Sequence, residues 1–183
     1  FSPLYSIREW GQAQRYRFMA DAVLKEAQRT GSAVYALPGN PYVFETTSGL
    51  IRKAAASAGL AVRVLPGLSF LELIYVELEL DPGLGLQIFN SWQIDGCAYN
   101  STIPMLIGQI DPGTEIVHGQ LSLEAVQELL LSRYPQDHPV SLVWVESKPN
   151  YCTFSQTLAL RELSALAPRR GEFASLFVPA APP

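Results

Sequence analysis

Pro38-Gly39-Asn40-Pro41 is the turn in this sequence whose residue types and spacing suit binding chemistry. It follows the short apolar run Ala33–Leu37. Glycine lets a ligand approach the main chain closely, and the flanking prolines stiffen the loop. Such a turn offers backbone N–H and C=O groups with few side chains in the way. A purely structural turn after a strand would have the same composition, so spacing alone leaves both readings open. Pro66-Gly67-Leu68-Ser69 is a second break of this kind, and Ser69 can cap a helix, bond a ligand, or do both. Ile107-Gly108-Gln109 closes an apolar run further on; Gln109 suits a purine edge with Ile107 against the ring, or is a polar residue at a strand end.

Other chemistries find little support. His118 and His138 have no evident nucleophile beside them, so a catalytic triad is not expected, and no cluster has the spacing of a zinc site. Asp81 and Asp111 each precede Pro-Gly and read as turn residues, while Glu77 and Glu79 stand in an otherwise apolar helix. There is neither a phosphate loop ending in Lys-Ser/Thr nor a Gly-x-Gly-x-x-Gly. Cys97 and Cys152 lie far apart and read as the ordinary thiols of a cytosolic protein. The chain has 183 residues, 48% hydrophobic and 16% charged, with a formal net charge of -4. These totals fit a folded domain with a substantial core. No basic run exceeds the pair Arg169-Arg170, so no nucleic-acid or anionic-membrane partner is expected. No apolar stretch is long enough for a transmembrane helix.

The elements that would position these turns are legible. An aromatic-rich segment, Phe1 to Trp10, precedes a helix over Gln12–Thr30. That helix has Tyr16, Met19, Val23, Leu24 and Ala27 on its apolar face and Arg15 among the residues placed elsewhere. Gly31 stops it. Ser32–Leu37 reads as a buried parallel strand, a helix then carries Leu50, Ile51, Ala54, Ala55 and Ala58 as far as Gly59, and Ala61–Leu65 is the next strand. Thr46, Thr47 and Ser48 are its candidate caps. This strand–helix–strand unit would be a right-handed crossover, with both turns on one sheet edge.

Ser69-Phe70-Leu71-Glu72 reads as a capping box opening a helix to about Leu80. Strands are expected at Leu86–Asn90, Pro104–Ile110, Val140–Val145 and Ala174–Val178. A helix capped by Ser122 is expected over Leu123–Tyr134, and a shorter one over Leu158–Leu166. The pattern predicts an α/β protein, divided near residue 67 into a 1–66 part and a 67–183 part. The first sheet would be mostly parallel and the second mixed.

Val34-Tyr35-Ala36-Leu37-Pro38-Gly39-Asn40-Pro41-Tyr42-Val43-Phe44-Glu45, followed by Val62-Arg63-Val64-Leu65-Pro66-Gly67-Leu68-Ser69-Phe70-Leu71, resembles the tetrapyrrole (corrin/porphyrin) methylase family. Ile107-Gly108-Gln109-Ile110, the segment from Tyr134 to Val140, and Ser175-Leu176-Phe177-Val178-Pro179 resemble the YabN-like methylase domain of MazG-type nucleotide pyrophosphohydrolases. The resemblance implies a two-domain methylase (class III) fold with S-adenosylmethionine in the cleft between domains. It assigns Leu37, Pro38, Gly39, Asn40, Val43, Phe44, Ser69 and Phe70 to the cofactor site, with Ile107 and Gln109 facing it from the second domain.

The resemblance also implies a homodimer and a methyl acceptor that is a tetrapyrrole or an unknown small molecule. Asn40 stands where the family has Asp. The family's opening strand with its Gly-x-Gly-Pro-Gly loop is not found before Phe1, and is expected to belong to the parent protein. No hydrolase half follows Pro183, so no pyrophosphohydrolase activity is expected of this chain. Two functions follow: an S-adenosylmethionine-dependent methyltransferase, or a non-catalytic binding and dimerisation domain that regulates a fused MazG-type hydrolase.

Overall fold

The computed structural model describes residues 1, 4, 7, 9–110, 121–145, 153–166 and 174–181. The expectations for Tyr5, Asp111, His118, Cys152 and the pair 169–170 lie outside these residues. The chain forms two compact units, Phe1–Ser69 and Phe70–Pro183.

The first unit packs two helices together, α1 (Gln12–Thr30) and α2 (Thr47–Ser57). Gly31 ends α1 in the left-handed conformation, φ 87°, returning its N–H to Ala27. Met19 and Ala20 on α1 and Ile51 and Ala55 on α2 are buried. Arg15 departs from the expected pattern, because its side chain is also buried. It donates through Nε to the Leu4 carbonyl at 3.0 Å and through a terminal nitrogen to the Ile7 carbonyl, tying the opening segment to α1.

The stretches read as buried strands, Ser32–Leu37 and Ala61–Leu65, are not strands in the structure. Val34 is 92% exposed and Leu65 64%. Their apolar, partly β-branched sequences suit a sheet, but neither is hydrogen-bonded into one here. Strand formation needs a partner edge as well as propensity.

The second unit is built on a five-stranded sheet of β1 (Gln87–Asn90), β2 (Met105–Ile110), β3 (Pro139–Val145), β4 (Thr153–Ala159) and β5 (Ala174–Val178). The order is β1-β2-β5-β3-β4. β1 and β2 are parallel, and the other neighbours are antiparallel, so β1, β2 and β3 share one direction. The mixed sheet is the one expected, with β4 added.

Helix α3 (Phe70–Glu77) packs on β3 and β4. It ends before Leu80 because Glu79 turns left-handed, φ 52°, and the Leu80 N–H closes back on the Tyr75 carbonyl at 2.8 Å. Helix α4 (Leu123–Leu131) begins at Ser122, whose Oγ accepts from the Ala125 N–H at 3.3 Å. Its Leu123, Val126 and Leu130 join Ile107, Ile110, Leu142, Trp144 and Leu176 in the main core. The expected short helix is a 3-10 segment, Leu160–Ala165, adding Leu160 and Leu163. No helix among the described residues is long and apolar enough to cross a membrane.

Candidate functional site

In the first unit the two glycine turns meet. A Cβ built on Gly67 would stand 2.5 Å from the Gly39 carbonyl oxygen, and one on Gly39 would stand 3.7 Å from the Leu68 carbonyl. Main chain therefore lies directly on main chain. Gly39 has φ 87°, which favours glycine. Asn40 Oδ1 accepts from the Tyr42 N–H at 2.9 Å, and the Val43 N–H bonds the Asn40 carbonyl at 3.1 Å. The side-chain amide thus shapes the turn that it occupies.

Phe44 also takes a left-handed conformation, φ 52°. Glu45 then supplies what Thr46 was expected to give: its Oε1 accepts from the N–H groups of Thr47 (2.7 Å) and Ser48 (3.3 Å), while Thr46 makes no capping bond with its side chain. Pro38 and Gly39 are exposed, Leu37, Asn40, Val43 and Phe44 half-buried, and Ser69 buried. The carbonyls and N–H groups of a bare, open loop can hold the polar parts of a small ligand.

In the second unit the carboxyl ends of parallel β1 and β2 lie side by side. Gly108 and Gln109 together face the single residue Ser175 of β5, since the register passes from Ile107↔Leu176 to Ile110↔Ala174. This bulge returns Ile110 to the core face that Ile107 also occupies, which regular alternation would forbid. Gln109 absorbs the turn with φ 57°. A non-glycine residue in such a sparse backbone region costs about 1–3 kcal/mol.

Two side chains from the end of β1 hold Gln109. Asn90 Nδ2 donates to Gln109 Oε1 at 2.6 Å, and Ser91 Oγ donates to the Gln109 carbonyl at 2.6 Å. Both Asn90 and Ser91 are buried. Among the described residues Asn90 Oδ1 is buried with no hydrogen-bond partner, which costs about 1–3 kcal/mol. The sequence reading missed Asn90 and Ser91, which read locally as an ordinary strand end; their pairing with Gln109 depends on β1 lying beside β2.

The structure thus brings Leu37–Phe44 together with Gly67 and Leu68 in the first unit, and gathers Asn90, Ser91 and Gln109 in the second. The Ile107 side chain is fully buried in the core rather than open to a ligand. Phe70 is half-buried at the start of α3. His138 is also buried: Nε2 lies 3.0 Å from the Pro179 carbonyl and the ring 4.8 Å from Tyr134. Asp81 is the turn residue expected, accepting from the Gly83 N–H at 2.8 Å.

The family model described as Tetrapyrrole (Corrin/Porphyrin) Methylases matches residues 6–160. The uncharacterized protein YabN of Bacillus subtilis (strain 168) is 30% identical over 128 residues, which cover 70% of this chain and 24% of that protein. The match therefore spans about a quarter of the relative's length. The uroporphyrin-III C-methyl transferase of Thermus thermophilus, solved complexed with S-adenyl homocysteine, superposes with a TM-score of 0.61 at 17% identity. That alignment covers 87% of this chain and 69% of that one. The methyltransferase CobJ superposes with a TM-score of 0.64 at 16% identity, over 91% and 72%.

Proposed function

Because the chain belongs to the tetrapyrrole (corrin/porphyrin) methylase family and has the α/β fold of its class III methyltransferases, we propose that it binds S-adenosylmethionine and serves methyl transfer. The observation that carries this reading is the Gly39–Gly67 contact. It packs together, main chain on main chain, the two turns that resemble the family's cofactor motifs. The open loop Leu37–Phe44 would hold the methionine and ribose parts through its backbone. Ser69, buried in the same unit, would add to the site. A relative-fold enzyme crystallised with S-adenyl homocysteine supports the choice of ligand.

The bound cofactor supplies a methyl group already activated by its sulfonium. The acceptor's lone pair would take that methyl as the sulfur–carbon bond breaks, leaving a neutral thioether, and any proton the acceptor loses would pass to solvent after transfer. The residues of this chain then have to bind, orient and exclude water rather than exchange protons. That division of labour agrees with a site made of turns and amides. The acceptor we propose is a tetrapyrrole or another small molecule.

The exposed apolar side chains of two strand-like segments, Val34 in one and Val62, Val64 and Leu65 in the other, support the further proposal that another segment of a longer protein pairs with them. A fused MazG-type hydrolase, a homodimeric state and a cytoplasmic location belong to the same proposal. One feature favours a binding role without catalysis: Asn40, which replaces the family's Asp, spends its side-chain oxygen on the Tyr42 N–H. Calorimetric titration of the full-length protein with S-adenosylmethionine tests the main reading, and saturable binding is expected. A folded protein that takes up no cofactor would overturn it. Binding without transfer to any tetrapyrrole or small-molecule acceptor would select the non-catalytic role.

A further inference from the structure

Helix α1 turns Met19 and Ala20 into the first unit. Gln14, Arg17, Phe18 and Asp21 are set three and four residues apart, so they share its outer side, and all four are exposed. Phe18 is a large ring left 46% exposed, and Trp10 packs on it with ring centroids 5.1 Å apart. Together these residues line an open groove of about 570 Å³, room enough for a ring from outside. Aromatic rings held in place are what protein interfaces bury at their centres. Further along the helix Glu26 and Arg29 bond each other at 2.6 Å. Arg17 and Asp21, by contrast, enter no ion pair among the described residues. Their order, with the cation first, is the weaker one for a pair four residues apart on one helix.

We propose that two copies of this chain pair through this face, with their α1 helices antiparallel. A twofold axis at the level of Met19 puts Arg17 of one protomer opposite Asp21 of its partner, and Asp21 opposite Arg17, because both positions are equally far from Met19. Phe18 lies one residue from that level, so the two rings meet near the axis and the charged pairs close the rim. A parallel pairing would set Arg17 against Arg17 and Asp21 against Asp21. The face is therefore self-complementary in one orientation and self-repelling in the other, and a second copy brings the matching charges by symmetry. This surface rests on the homodimeric state put forward above and not on the choice of cofactor.

The test is self-association of the full-length protein, measured by sedimentation equilibrium, with circular dichroism to check that each variant folds. The wild type is expected to be a dimer. Arg17→Asp and Asp21→Arg, both at exposed positions, each set two like-charged pairs across the axis. Each is expected to raise the dimer dissociation constant about tenfold or more. In an equimolar mixture of the two variants one protomer carries two acids and the other two arginines, so both attractive pairs return. The mixture is expected to dimerise within about threefold of the wild type. The chain carrying both substitutions should also dimerise, its charges being exchanged rather than lost.

A monomeric wild type would overturn both this surface and the homodimeric state. Dimers that neither single substitution weakens would overturn the surface alone and leave the homodimer to another face. Single variants that dissociate but do not recover on mixing would also overturn it, and would give Arg17 and Asp21 to a different segment or partner. Cofactor binding is read by its own titration, so a failure there is distinguishable from each of these outcomes.

Discussion

The carbonyl oxygen of Gly39 occupies the place where a side chain on Gly67 would begin, 2.5 Å from the position of its Cβ. Two turns separated by a helix in sequence are therefore locked by the absence of a single carbon. The obstacle is backbone rather than a flexible side-chain tip, so it cannot step aside cheaply. Gly67→Ala is expected to destabilise the first unit by about 1–3 kcal/mol, as overpacking does. Thermal unfolding of the variant against the wild type measures this; an unchanged midpoint would contradict the contact.

Gly39 presents the complementary case. Its φ of 87° is strained for a residue with a Cβ, and more so for a β-branched one. Gly39→Val is expected to distort the loop and weaken S-adenosylhomocysteine binding by more than about tenfold, or 1.4 kcal/mol. The rest of the chain should stay folded. Calorimetry paired with circular dichroism separates the two effects, and full affinity in the variant would remove this loop from the proposed site.

Glu45 caps α2 with one carboxylate oxygen shared between the N–H groups of Thr47 and Ser48. Glu45→Ala removes the cap and is expected to cost about 0.5–2 kcal/mol. Thr46→Ala should cost far less, since the Thr46 side chain makes no capping bond. Denaturant unfolding of the two variants would reverse this assignment if Thr46→Ala proved the more damaging.

Tyr134 yields a prediction in pH. Burial pushes its hydroxyl above the ordinary tyrosine value, the neighbouring Tyr99 adds to the rise, and Arg133 partly offsets it. A raised acid favours its protonated form in the folded state. Its contribution is therefore complete below the unfolded value near pH 10 and is lost as pH climbs through the folded value. The hydroxyl has no hydrogen-bond partner among the described residues. Tyr134→Phe is expected to change stability by no more than about 1 kcal/mol at neutral pH, and to flatten the decline above pH 10. A steeper alkaline decline in the variant would refute this origin.

What could be read from the sequence followed the strength of local signals. Helix α1 was legible over its full length because its apolar spacing runs unbroken to Gly31. β5 was legible because an apolar run there has a buried place to go. β4 escaped notice: Thr153–Ala159 carries Ser155, Gln156 and Thr157 through its middle, and these are exposed at the sheet's edge. Ser32–Leu37 and Ala61–Leu65 failed in the opposite way, since propensity says nothing about whether a partner strand is at hand. Arg15 was placed with the surface residues because a charge is rarely fully buried, and the carbonyls that receive it come from the opening segment.

The candidate site divides along the same line. Gly39 and Gly67 were visible as turns from composition, though not as a contact. Gln109 was visible as a polar residue closing an apolar run. Asn90 and Ser91 were not, because their role exists only once β1 lies beside β2 and the bulge has turned Gln109 toward them. Ile107 was read as ligand-facing, but the alternation of β2 directs it into the core.

The exposure of Val34, Val62, Val64 and Leu65 has a practical consequence at the bench. Uncovered apolar segments with strand-forming sequences are templates for cross-chain pairing. At the concentrations used for calorimetry or NMR, this chain by itself is expected to aggregate, and light scattering should rise steeply with concentration. Lys substituted at Val34 and Leu65 should suppress that rise and leave the Gly39–Gly67 turns untouched, giving a well-behaved sample in which cofactor binding can be measured.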